Sequence, residues 1–73
     1  MIILNQDSDA IYDYDKFSCI YVHESSNTIF IMNYAGEMAF PLGTYETHER
    51  CVEVVQEIFT MLECTSKYNM PYC

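Results

Sequence analysis

Apolar residues fall along this chain in two rhythms. Up to residue 43 they come in short runs, alternating or fully apolar, cut by polar turns. Ile2-Ile3-Leu4 is the first run, and Asn5-Gln6-Asp7-Ser8-Asp9 is a polar turn after it. Residues 10–17 alternate imperfectly, with Ile11, Asp13 and Asp15 on one side and Tyr12 and Tyr14 on the other. Residues 18–24 hold the β-rich run Cys19-Ile20-Tyr21-Val22, which Ser25-Ser26-Asn27 breaks. Residues 28–34 contain Ile29-Phe30-Ile31-Met32, apolar on both faces, and Ala35-Gly36 reads as a tight turn. Residues 37–42 form a last strand, closed by Pro41 and Gly43. Short strands at this spacing predict an antiparallel meander over residues 1–43.

Beyond residue 46 the period changes. Cys51, Val55, Ile58 and Leu62 recur at helical spacing, and Val54, Phe59 and Cys64 widen the same stripe. Thr47 suits the N-cap, with Glu49 in the first turn to complement the helix dipole. The helix is predicted over 47–63. Residues 64–73 are expected to be an irregular tail, because Pro71 interrupts regular structure. Its apolar Tyr68, Met70 and Tyr72 are expected to dock on the chain's own sheet or on a neighbour. The predicted fold is α+β: one domain over 1–73, an antiparallel β-meander of four to five strands packed on one C-terminal amphipathic α-helix.

Composition adds an expectation about assembly. Half of the 73 residues are hydrophobic, so the chain is no disordered acidic tail. A chain this short buries only about 60% of its unfolded surface. It also carries seven tyrosines, more than one small core can hide. Some are expected in an interface, where an apolar ring with a wet hydroxyl is at home, and a homo-oligomer, a dimer first of all, is expected. The four cysteines, Cys19, Cys51, Cys64 and Cys73, form no C-x-x-C. No signal peptide and no membrane span is read at the start, so a reducing cytoplasm and free thiols are expected. Cys19 and Cys51 then read as small core hydrophobes and Cys73 as a terminal thiol.

Eleven acidic residues against three basic ones give a formal net charge of −8. Such a field repels nucleic acid and anionic membrane and attracts a basic protein surface. One cluster is Asp7, Asp9, Asp13 and Asp15. The other is Glu46, Glu49, Glu53 and Glu57, whose spacing lines up one helix face over about 16 Å. That stripe is sparser than the charge of duplex DNA, one per about 1.7 Å. A solvated helix face, with Arg50 pairing locally to Glu46 and Glu53, is the plainer reading. The aspartates do not make a calcium loop: from Asp7, the positions that need Gly and Glu hold Tyr12 and Ser18. Asp7 and Asp9 read as turn residues, and no metal or cofactor is expected.

Nothing in the chain spells catalysis. There is no G-x-S-x-G, H-E-x-x-H, P-loop or G-x-G-x-x-G, and only two glycines are available to shape a phosphate loop. Cys19 and His23 share a strand face but lie too far apart for a nucleophile pair. A binding protein is expected, not an enzyme.

The start Ile2-Ile3-Leu4-Asn5-Gln6-Asp7-Ser8-Asp9-Ala10-Ile11-Tyr12 and the stretch from Leu42 to Ile58, with Gly43, Tyr45, Thr47, Glu49-Arg50, Glu53-Val54 and Glu57-Ile58, resemble a group of small proteins encoded by phages and prophages of Firmicutes. This chain departs from their pattern in Cys51 and Val52 after Glu49-Arg50 and in its cysteine-bearing tail. The resemblance implies a β-meander followed by a helix, a host bacterial cytoplasm and a counter-defence role. In the leading expectation the chain is an anti-CRISPR-like protein acting by stoichiometric binding. Its acidic surface would occupy a basic nucleic-acid groove on a host immune protein or ribonucleoprotein, through Asp13, Asp15, Glu46, Glu49, Glu53 and Glu57. The second expectation is an oligomeric sponge for a nucleotide immune signal. There Tyr12, Tyr14 and Tyr21 would stack a base, and Lys16 or Arg50 would hold phosphate between subunits.

Overall fold

The computed structural model describes residues 1–34 and 36–73. Its elements, in chain order, are β1 (Ile2–Leu4), β2 (Ile11–Asp13), a 3-10 turn (Tyr14–Lys16), β3 (Phe17–His23), β4 (Thr28–Asn33), β5 (Ala39–Thr44), α1 (His48–Met61) and β6 (Lys67–Asn69). The chain is α+β, but its strands do not form one meander of four or five. They divide into two three-stranded sheets, ordered β2-β1-β6 and β3-β4-β5. The second is the antiparallel meander that the alternation predicts. The first pairs β1 antiparallel with β2 and parallel with β6, drawing a strand from the tail expected to be irregular. Pro71 does not prevent this, because it lies two residues beyond the last strand residue, Asn69.

One core joins the layers. Ile29, Ile31 and Leu42 come from the β3-β4-β5 sheet, Ile3 and Tyr68 from the other sheet, and Cys51, Val54 and Ile58 from α1. Ile3 lies opposite both Tyr12 and Tyr68, so these three share the inward face. The helix stripe centres on Cys51, Val54 and Ile58. Phe59, about 100° further round the helix, is 78% exposed, and Cys64 lies exposed beyond the helix end.

Cys19 is exposed, against the expectation of a core thiol. A bulge between Phe17 and Cys19 explains it. Phe17 packs on the core, and strict alternation would then turn Cys19 inward as well. The extra residue flips the parity, so Ile20 and Val22 pack on the core instead. Cys51 is fully buried, as expected, and its thiol donates to the Asn27 carbonyl at 3.2 Å. Burial holds that thiol protonated by raising its pKa.

The turns carry their own hydrogen bonds. The Asn5 side chain accepts from the backbone N–H of Asp9 and Ala10 and donates to Asp9 Oδ1 at 2.8 Å. Gly36 takes a positive φ of 71° and donates its N–H to Asn33. The tight turn expected at Ala35-Gly36 has its first residue outside the described ones.

Candidate functional site

The glutamate row is shorter and less free than its spacing suggests. Thr47 caps α1, its Oγ1 accepting from the Arg50 N–H at 3.1 Å, so the helix starts at His48 and Glu46 lies outside it. The Glu46 carbonyl accepts from Asn27 Nδ2. Of the three glutamates on the helix, Glu53 pairs with Arg50 Nη1 at 3.4 Å. Glu57 accepts a 2.6 Å hydrogen bond from the Tyr68 hydroxyl. Only Glu49 has its carboxylate wholly free for solvent among the described contacts.

Arg50 is held in turn by the tail. Its Nε and Nη2 donate to the Cys73 backbone oxygen at 3.2 and 3.1 Å, and its guanidinium lies 5.9 Å from the Tyr45 ring centre. Two further side chains hold the residues just before. Tyr45 Oη donates to the Pro71 carbonyl at 2.8 Å, and Gln6 Nε2 to the Tyr72 carbonyl at 2.7 Å. Three consecutive carbonyls are thus captured by side chains, while the Tyr72 and Cys73 side chains stay exposed. The docking of the tail is legible in its apolar residues. The capture of its backbone by Gln6, Tyr45 and Arg50 is not, because no sequence pattern marks it.

Burial raises two phenols here. Tyr45 is pushed up to about 12, chiefly by desolvation. Tyr68 is pushed higher still, by desolvation first and then by its hydrogen bond to the Glu57 carboxylate, which favours the neutral phenol.

The aspartates are scattered over different jobs. Asp13 caps the 3-10 turn, its Oδ1 accepting from the Asp15 N–H, and Asp15 lies 3.9 Å from the Met1 nitrogen. Asp7 and Asp9 rim a polar cleft of about 370 Å³ whose other walls include Asn5, Gln6, Tyr12 and Thr44. Among the described residues no three His, Cys, Asp or Glu side chains gather as a metal site.

One chain does not bring the sponge residues together. Tyr12 packs inward, its ring 5.8 Å from Phe17 and 5.9 Å from Phe40. Tyr14 lines an apolar groove of about 160 Å³ between the helix and β3, with Ile20, Val55, Ile58, Phe59 and Leu62. Tyr21 stacks on Phe30 on the far side of the sheet, at 5.7 Å. Lys16 ends the 3-10 turn, exposed, and Arg50 sits with the tail. His23 is occupied by its hairpin, with Nδ1 3.0 Å from Ser26 Oγ and 3.1 Å from Ser25 Oγ. No hydrogen bond links it to Cys19 among the described residues.

What remains is a division of the surface by charge. The strands β3, β4 and β5 contain no Asp, Glu, Lys or Arg. All eleven carboxylates lie elsewhere, and none among the described residues is buried. The molecule is a small α+β protein with one uncharged sheet and an acidic remainder. Comparison with known protein families, curated proteins and solved structures found no match. No helix among the described residues is long and apolar enough to cross a membrane.

Proposed function

We propose that the protein works by stoichiometric binding, presenting its acidic surface to a basic groove of a host immune protein or ribonucleoprotein. The carrying observation is that none of its carboxylates among the described residues is buried and almost none is neutralised. The two ion pairs among the described residues are Met1–Asp15 and Arg50–Glu53. A net −8 at the surface of so small a body steers it to a basic partner over about a Debye length. The phage context of the resemblance supports counter-defence as the setting. Within the acidic set, Glu46 and Glu49 are the strongest contacts for a partner, because Asp15 is already paired with the Met1 amine. Asp13, Glu53 and Glu57 already serve internal bonds.

Affinity for such a complex should fall steeply between about 0.1 and 1 M salt, as the screening length shrinks from about 10 to about 3 Å. The pair Glu46→Gln and Glu49→Gln should slow association without lowering thermal stability. A salt-independent affinity, or unchanged association in the double variant, would remove electrostatic docking as the mechanism.

A further inference from the structure

The two edges of the β3-β4-β5 sheet are treated differently. The β5 edge is guarded. Pro41 sits on it, Gln6 donates its N–H to the Leu42 carbonyl at 2.8 Å, and the Gln6 side chain accepts from the Thr44 N–H. The β3 edge has no such cover: among the described residues β3 pairs with β4 alone. It is seven residues long, with neither proline nor a formal charge. Its bulge lies at one end, leaving Cys19 to His23 in regular register. An edge of this kind presents a row of free backbone donors and acceptors.

The walls beside that edge are apolar as well. On the helix side is the groove of Tyr14, Ile20, Val55, Phe59 and Leu62. On the other side Tyr21 stacks against Phe30. A strand added here would bond to β3 through its backbone and set alternate side chains against the two walls.

We propose that this strand is the β3 of a second copy of the chain. The two β3 strands run antiparallel about a two-fold axis, joining the two sheets into one of six strands. Charge selects this occupant. Two chains of −8 repel least when they meet where carboxylates are absent, and β3 lies in the uncharged sheet. The ends of β3 carry opposite signs, with Lys16 just before it and Glu24 just after it. With Ile20 or Tyr21 at the axis, and the bulge counted as one residue, Lys16 falls within one residue of the level of Glu24 of the partner subunit. The symmetry brings these opposite charges near each other twice, so the strand's ends attract when it meets itself antiparallel. A two-fold axis normal to the sheet also keeps both helices on the same face. Phe59, 78% exposed on the single chain, then lies in the seam between them. The expectation of a dimer from surplus tyrosines gains a location, with Tyr14 and Tyr21 on either side of the joined edge. The basic partner proposed above is engaged chiefly through Glu46 and Glu49, neither of which lies on β3, so either inference stands without the other.

Light scattering on the purified chain should give twice the 8.6 kDa of one copy at micromolar concentration. Phe59→Glu adds charge to the seam at an exposed position, so it should return the mass to that of one chain with an unchanged circular dichroism spectrum. Lys16→Glu and Glu24→Lys, each alone, should weaken the dimer roughly tenfold by placing like charges at both ends. Combined, they should restore it. A monomeric wild type overturns the proposal and leaves the edge to a foreign strand. So does a dimer that ignores Phe59→Glu, or a charge swap in which the double variant is no better than the singles.

Discussion

Arg50 is the chain's only arginine, and it carries no substrate-ready geometry. Two of its nitrogens hold the Cys73 oxygen and a third meets Glu53, so an anionic ligand would have to displace the tail to reach it. Its neighbours Tyr45 and Tyr68 show what the tail does to single residues. Unfolded phenols titrate near 10, whereas Tyr45 is held at about 12 and Tyr68 above that. The folded chain therefore keeps two protons that the unfolded chain releases above about pH 10. Their contribution is intact below that pH and is lost as pH rises through the folded values. Denaturant midpoints should be flat on the neutral side of pH 10 and fall between about 10 and 12. Tyr68→Phe should cost about 1 kcal/mol at neutral pH, through the lost bond to Glu57. It should also flatten the alkaline fall, because one of the two phenols is gone. An alkaline limb of unchanged steepness in Tyr68→Phe would show that this phenol is not the group responsible.

At the scale of elements, α1 depends on its first turn. Thr47 takes extended backbone angles and caps the Arg50 N–H, and only one of the row's glutamates, Glu49, lies in that turn. Thr47→Ala should cost about 1 kcal/mol, a fall of roughly 4–8 °C in Tm for a domain this size. A fall within error would mean that water replaces the cap without loss. This helix was legible because capping and 3.6-residue periodicity are local. The β3-β4-β5 meander was legible for the same reason, each hairpin being written in adjacent residues. The division into two sheets was not. β6 contributes a single buried residue, Tyr68, between Lys67 and Asn69, too little pattern to announce a strand, and its partner β1 lies more than sixty residues away. The bulge at Phe17/Cys19 was equally silent, and it alone sends Cys19 outward. The glutamate site was half legible. Spacing put Glu49, Glu53 and Glu57 on one helix, but the bonds from Arg50 and Tyr68 depend on where a distant tail comes to rest.

The whole molecule is closed by that tail. With 73 residues, a net stability of roughly 4–11 kcal/mol is expected, so a few contacts decide whether the chain folds. The last part of the chain supplies two core residues, Tyr68 and Met70, each about 5% exposed. It also supplies the Met70 N–H bond to the Leu4 carbonyl and the three carbonyls held by Tyr45, Gln6 and Arg50. The tail is therefore read by its backbone and by Met70, and hardly at all by the Tyr72 side chain, which is 88% exposed. Two substitutions two residues apart should then behave very differently. Met70→Ala should destabilise by about 2–3 kcal/mol through lost burial and the space left behind. It should also loosen Arg50 from Cys73. Tyr72→Ala should stay within about 0.5 kcal/mol of wild type, because it leaves every captured carbonyl in place. Urea unfolding of both variants is the measurement. If Tyr72→Ala proved as costly as Met70→Ala, the ring would have to lie against the body of the protein in solution. If neither cost anything, the tail would not be docked at all, and Arg50 would be free for an anion after all.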